Sequence, residues 1–265
     1  MSDFLSRIIA HKKEEIRAAA AQVPESSLRN LAENYAGTRR SLLDRLATPG
    51  PHGMNIIAEI KRSSPSKGQI RDDVDPKRYA ALYEQGGAAA ISVLTETQYF
   101  GGSSADLCDA RGAAGLPVLR KDFIVSSYQV YESAAIGADA VLLIARALAP
   151  EMLKEMIALC GSVGLDALVE VHDRAELETA LAVGARIIGI NNRDLATFRT
   201  DIRTSMDLTR FIGPGHVAVA ESGIHGRQEI EQLLEAGIFN FLIGESIMRA
   251  DHPDRFLRVL HGLEL

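Results

Sequence analysis

The sequence predicts an α/β fold, a closed (β/α)8 barrel carrying an N-terminal helical extension. Three observations lead there. Short runs rich in Val, Ile, Leu and Ala recur eight times, near residues 56–61, 89–94, 117–121, 140–144, 167–171, 187–191, 217–221 and 239–243. Continuous apolar runs of that length fit strands buried on both faces, as in a parallel sheet. Amphipathic segments long enough for a helix lie between them, and small-residue phrases such as Gly86-Gly87-Ala88, Gly137-Ala138-Asp139, Gly184-Ala185 and Gly237-Ile238 stand just before a strand. Those phrases read as the helix-to-strand turn of a repeating β/α unit. Eight units in ~210 residues suit a closed barrel, which needs about 250. The rival is an open doubly wound sheet, but no G-x-G-x-x-G follows the first strand.

Residues 1 to about 50 precede the units, so the expected organisation is one barrel domain over residues 1–265 with residues 1–50 as its extension. Phe4, Leu5, Ile8 and Ile9 form a helical apolar stripe, with the charges at residues 11–15 partly solvated. Pro24 ends that segment, and residues 41–46 suit a second short helix before the Pro49-Gly50-Pro51 turn. On residues alone the extension plugs one end of the barrel or covers its active mouth. Helices are expected near 76–85, 127–136, 150–163, 174–183 and 227–235; several open on a cap or a Pro, and several close at glycine.

Composition narrows the function classes. Hydrophobic content of 46% and charged content of 24% are those of an ordinary soluble globular protein. A net charge of −6 argues against a general nucleic-acid surface. Cys108 and Cys160 fit no zinc spacing, and no H-E-x-x-H occurs, so no metal is expected. The N-terminus lacks an apolar signal core, and no apolar run reaches the roughly 20 residues that span a bilayer, which points to the cytoplasm.

The chemistry gathers at the C-terminal ends of the strands, where barrel enzymes place catalysis. The first strand ends I-I-A-E-I-K-R-S-S-P-S-K-G. Glu59 and Lys61 are two residues apart and leave a strand on one side, and Ser64 and Lys67 follow in a tight loop. Later ends supply Thr95 and Glu96, Lys121 and Asp122, Glu170, Asn191 and Arg193, then Glu221-Ser222-Gly223 and Gly244-Glu245-Ser246; the fourth carries no charge. A lone charge at a strand end is usually a solvated rim residue. Two lysines, three glutamates, an asparagine and an arginine converging on one mouth can shift one another's pKa values and supply separate acids and bases. Gly223 and Gly244 allow close backbone approach after the seventh and eighth strands, where phosphate is commonly bound, although both could be plain turn glycines. Glu245 is awkward beside a phosphate unless its carboxylate turns away. Ser64, Lys61 and Arg193 could complete a phosphate cradle or bind a carboxylate. Phe123 suits either a planar ring or the core, and the aromatics of 99–103 suit a loop or packing. His172 and His225 read as surface or structural residues.

With those residues together, the chain closely resembles the indole-3-glycerol-phosphate synthase family, through I-I-A-E-I-K-R-S-S-P-S-K-G, V-L-T-E-T-Q-Y-F-G-G-S, V-L-R-K-D-F-I-V, L-V-E-V-H, I-G-I-N-N-R-D-L, A-E-S-G-I and F-L-I-G-E-S-I-M. The resemblance implies a (β/α)8 barrel whose extension lies over the catalytic face. It also implies the lyase reaction of tryptophan biosynthesis: ring closure, decarboxylation and dehydration of 1-(2-carboxyphenylamino)-1-deoxyribulose 5-phosphate. It implies no cofactor, a small phosphorylated substrate as the partner, and a monomer. Lys121 resembles the family's general acid and Glu170 its general base, with Glu59 tuning the lysines. Both Lys121 and Lys61 remain open as acids for different steps. Asn191 and Glu221 would hold hydroxyl or amine groups, Lys61 and Arg193 the carboxylate or phosphate, and Ser64, Ser222, Gly223, Gly244 and Glu245 would lie near the phosphate. The competing readings are another phosphosugar barrel, such as phosphoribosylanthranilate isomerase, and a barrel that binds a phosphorylated ligand without turning it over. The isomerase needs a Cys at a strand end, which this chain lacks.

Overall fold

The computed structural model describes residues 3–65, 68–194 and 197–264, apart from the side chain of Asp3. Ser66, Lys67 and Leu195, from the motifs above, lie outside the described residues.

Eight parallel strands close into a barrel: β1 (Asn55–Ile60), β2 (Ala90–Leu94), β3 (Val118–Lys121), β4 (Ala140–Ile144), β5 (Asp166–Val171), β6 (Ile187–Asn191), β7 (Val217–Glu221) and β8 (Asn240–Ile243). Each pairs with its sequence neighbours, and β8 returns to β1 through Ile57↔Leu242 and Ala58↔Ile243. Closure leaves the barrel no edge, and the filled interior with helices outside covers both faces of every strand, so the apolar runs are continuous rather than alternating.

Parity then divides each strand. Ile57, Ala90, Leu119, Ala140, Leu142, Leu168, Ile187, Val219 and Leu242 fill the barrel interior. Ala58, Ile91, Val118, Val141, Val169, Ile188 and Phe241 face the helices. Continuing the interior parity to the C-terminal ends reaches Glu59, Lys121, Glu170, Asn191, Glu221 and Gly244, so the register that packs the core also aims the polar groups.

Twelve helices are described. The outer layer comprises α4 (Pro76–Gln85), α5 (Ser104–Ala113), α6 (Ser127–Ala135), α7 (Pro150–Ser162), α8 (Arg174–Ala182), α9 (Arg203–Thr209), α10 (Arg227–Glu235), α11 (Glu245–Arg249) and α12 (Pro253–Leu260). Asp75, Ser103, Ser126 and Asp173 cap four of them by accepting backbone N–H bonds in the first turn. Gly137 and Gly237 take the left-handed conformation (φ 87° and 84°) that turns the chain from α6 and α10 toward the next strand.

The extension serves both ends of the barrel. Helix α1 (Asp3–Gln22) crosses the C-terminal mouth: Phe4 and Leu5 line the cavity, and Lys12 Nζ lies 3.1 Å from Asp122 Oδ1, just beyond β3. Helix α2 (Glu25–Glu33) packs on α6; its N-cap is Pro24, which ends one helix and begins the next. Helix α3 (Leu42–Leu46) closes the opposite end, with Leu42 and Leu46 fully buried against the lower interior layer. Its start is tied to β5, since Asp166 Oδ2 accepts from the Leu43 N–H at 2.9 Å. The cover expected from the resemblance therefore applies to α1, and the plug to α3.

Candidate active site

One cavity occupies the C-terminal mouth, and all thirteen polar, aromatic and glycine positions singled out above for catalysis or substrate binding line it. These are Glu59, Lys61, Ser64, Lys121, Phe123, Glu170, Asn191, Arg193, Glu221, Ser222, Gly223, Gly244 and Glu245.

Two clusters of charge face each other across it. On one side Lys61 Nζ sits 2.6 Å from Glu59 Oε1, the pair expected from their spacing of two. Gly244, at the end of β8, permits this, because a Cβ there would press on Glu59 Oε1 and come within 3.0 Å of Lys61 Nζ. On the other side Lys121 Nζ lies 2.6 Å from Glu221 Oε2 and 3.5 Å from Glu170 Oε2.

The electrostatics of the second cluster are unequal. Burial alone would lower the Lys121 pKa, but Glu221, Glu170 and Glu59 outweigh it and hold the ammonium well above its ordinary value. Burial would likewise raise Glu170, yet Lys121, His172 and a hydrogen bond from Asn191 bring it below the usual carboxylate range. Glu221 goes the other way: burial, with Glu170 and Glu59 repelling it, pushes it up to about 7 despite Lys121. Two neighbouring carboxylates with pKa values driven apart are the arrangement that separates an acid from a base.

The loops after β6, β7 and β8 build a second region. Asn191 Oδ1 accepts the Arg193 N–H at 3.0 Å, which sets the turn carrying Arg193. Ser222 and Gly223 are consecutive residues with positive φ (66° and 76°), a conformation that glycine adopts freely and serine rarely does. Asn192 fixes this turn by donating to the Ser222 carbonyl at 3.1 Å. The Glu245 carboxylate accepts from Arg249 Nε at 3.2 Å, one turn along α11, and so resolves its awkward place beside a phosphate.

The remaining wall is apolar and comes largely from residues that read as core or packing. Leu142 and Ile144 of β4, Leu94 of β2, Pro65, Ile224 and Leu242 line it with Phe100, Phe123, Phe198 and Phe4. Phe4 packs edge-on against Tyr99 and Phe198, at 5.5 and 5.8 Å between centroids, so the cover helix adds an aromatic to the site. The charge-free end of β4 is the floor of this apolar half.

Two readings of the strand ends are corrected. Glu96 does not face the cavity; it is fully buried and accepts from the backbone N–H groups of Gln98, Tyr99 and Phe100, shaping the loop that carries Phe100. Thr95 donates to Asp122 Oδ2 at 2.6 Å, outside the polar cluster. The histidines keep the surface or structural character expected of them: His225 is exposed at the cavity rim, and the His172 side chain is buried beside Glu170 with Nδ1 3.2 Å from Glu176 Oε2. The signal for His172 was present, since it follows Glu170 at the same spacing of two that pairs Glu59 with Lys61. Cys108 and Cys160 lie on α5 and α7, away from the mouth.

Comparison with known proteins places the chain in a family. The profile of the family described as indole-3-glycerol phosphate synthase matches residues 5–260. The indole-3-glycerol phosphate synthase of Syntrophobacter fumaroxidans is 55% identical over 262 residues, covering 99% of this chain and 98% of its own. That of Desulfosudis oleivorans is 54% identical over 260 residues, covering 98% and 99%. Among solved structures, the N-acetylmannosamine-6-phosphate 2-epimerase of Clostridium perfringens aligns with a TM-score of 0.60 at 15% identity, over 82% of this chain and 94% of its own, a likeness of fold alone.

Proposed function

The chain belongs to the indole-3-glycerol phosphate synthase family, and on that footing we propose that Lys121 is the general acid of its ring-closing step. The reaction converts 1-(2-carboxyphenylamino)-1-deoxyribulose 5-phosphate to indole-3-glycerol phosphate with loss of carbon dioxide and water. The observation that carries this reading is Lys121 Nζ held between Glu221 and Glu170 on the inward face of the barrel mouth, opposite the Glu59–Lys61 pair.

Each charge then has a task. The aryl ring carbon attacks the ketone, and negative charge develops on the carbonyl oxygen. An ammonium that stays protonated is suited to that oxygen, because an alkoxide is more basic than even a strongly held lysine. Decarboxylation restores the aromatic ring, and dehydration needs an acid for the departing hydroxyl and a base for the ring-carbon proton. Glu170, kept ionised by its neighbours, is the base. Glu59 positions Lys61, and Lys61 and Arg193 receive the substrate carboxylate or phosphate. Asn191 and Glu221 hold hydroxyl or amine groups. The left-handed turn at Ser222-Gly223, with Ser64, Gly244 and the Glu245 N–H, takes the phosphate. Phe123 and the apolar wall receive the aryl ring, shielded from water by Phe4 and Leu5 of α1.

The partner is thus a small phosphorylated molecule. Among the described residues no helix is long and apolar enough to cross a membrane, and we place the enzyme in the cytoplasm as a monomer that needs no metal or organic cofactor. A fluorescence assay for indole-glycerol product, run with EDTA and no added cofactor, tests this reading. Product formation supports it. A folded protein that binds substrate and makes no product would reduce the site to a ligand-binding barrel.

A further inference from the structure

Behind Glu170, on the side away from Lys121, lies a set of polar groups that this scheme does not use. The His172 side chain is only 5% exposed. Its Nδ1 lies 3.2 Å from Glu176 Oε2 in the first turn of α8, and the His172 backbone N–H donates to the same oxygen at 2.8 Å. The other oxygen of Glu176 accepts from Arg146 Nε at 2.6 Å, in the short turn after β4. Nε2 is buried without a hydrogen-bond partner among the described residues, and Glu170 Oε1 lies 3.4 Å from it.

A carboxylate facing Nδ1 keeps the proton on that nitrogen. Nε2 is then the end of the ring that lies against Glu170. The Glu170 carboxylate is flanked on both oxygens, with Lys121 on Oε2 at 3.5 Å and His172 on Oε1 at 3.4 Å. We propose that His172 is a positioning residue for Glu170: its ring, anchored by Glu176 and Arg146, donates Nε2–H to Oε1 and holds the Glu170 carboxylate oriented toward the cavity. This rests on the reading of Glu170 as the base.

The charges around the ring agree in sign. Glu170 faces it from β5, and Glu176 faces it from α8. Asp173 caps that helix and lies 3.6 Å from Arg146, which reaches the ring only through Glu176. Lys121 and Glu221, from β3 and β7, meet it only through Glu170. Burial pushes Glu176 up, but the hydrogen bonds from His172 and Arg146 outweigh it and hold Glu176 below the usual carboxylate range. His172 is one of the groups that hold the Glu170 carboxyl below its ordinary value, so its loss would raise the pH at which Glu170 ionises and carry the acid limb of turnover to higher pH.

The test measures kcat and KM of the full chain from acidic to neutral pH for His172→Gln, Glu176→Gln and Glu170→Gln, with thermal melts alongside. For His172→Gln we expect KM within about threefold of wild type, kcat about 3–30-fold lower at neutral pH, and the acid limb of kcat raised by about half a pH unit or more. Glu176→Gln, which does not line the cavity, should move the limb the same way by less, so the proposal survives a poorly folding His172 variant. In the Glu170→Gln background, His172→Gln should add no further loss. An unmoved limb in both single variants, or additive losses, overturns the proposal. Near-normal turnover of Glu170→Gln would instead remove the base reading and this inference together, whereas an inactive Glu170→Gln with unmoved limbs sinks the His172 role alone.

Discussion

The carboxylate of Glu221 rests over Gly189, in the space that a side chain on β6 would need. Gly189 also pairs in register with Glu170 on β5. One missing Cβ thus leaves the gap that the β7 carboxylate occupies as it reaches Lys121, beside the strand that carries Glu170.

Gly189→Ala should therefore injure catalysis without touching a charged residue. The new methyl would displace Glu221 and crowd Leu168. We expect kcat to fall at least ~10-fold and stability to fall by about 1–3 kcal/mol from overpacking. Steady-state kinetics with a denaturant melt check this, and unchanged kcat would show that the Glu221 position is immaterial.

Glu221 carries a stability cost that depends on pH. Its native pKa of about 7 lies above the 4.5 of the ordinary carboxyl, so the unfolded chain releases this proton first. Below both values the group is neutral in either state and contributes no difference. As pH rises past about 4.5 and through about 7, the native state increasingly bears a penalty that the unfolded chain does not. Glu221→Gln should thus gain on wild type between pH 5 and 8, by on the order of 1–3 kcal/mol. Denaturant unfolding at the two pH values measures it, and a constant difference would count against the raised pKa.

Lys12 anchors the cover helix. Its Nζ meets Asp122 Oδ1 at 3.1 Å, while Asp122 also holds Thr95 and Arg120. Lys12→Met should cost about 1–3 kcal/mol at neutral pH, less than stripping a buried carboxylate of every partner, and should raise KM because Phe4 and Leu5 lie on the same helix. Burial opposes ionisation of Asp122, but Arg120 and Lys12 hold its pKa below the ordinary value. That stabilisation is present above the unfolded Asp value and lost as pH falls through the native one. The gap between wild type and variant should accordingly narrow below about pH 4. Melts at neutral and acid pH, with KM at neutral pH, provide the check.

The strands were legible because seven of the eight apolar runs end at polar or charged residues, and the rule that barrels place catalysis at the C-terminal strand ends gathered Glu59, Lys121, Glu170 and Glu221 at one mouth. The helices expected at 76–85 and 227–235 coincide with α4 and α10. Helix α2 went unread because Pro24 signals both an end and a start. Helix α5 was missed because S-A-D-L-C-D-A-R-G-A has little apolar periodicity, although Ser103 caps it three residues before Asp106. The apolar half of the site was hidden for a different reason. Phe4, Leu94, Leu142 and Ile144 carry the same hydrophobic signal as the core, and only tertiary placement tells a cavity wall from a packed interior. Gly189 gave no local cue, because its role depends on a carboxylate from the neighbouring strand.

The most direct test of the central claim is single-turnover kinetics of Lys121→Ala together with its equilibrium affinity for substrate. The account predicts turnover lower by about 10²–10⁴-fold with affinity changed less than about threefold, since Lys121 acts on charge that develops in the transition state. Turnover near wild type, or a loss confined to affinity, would contradict it.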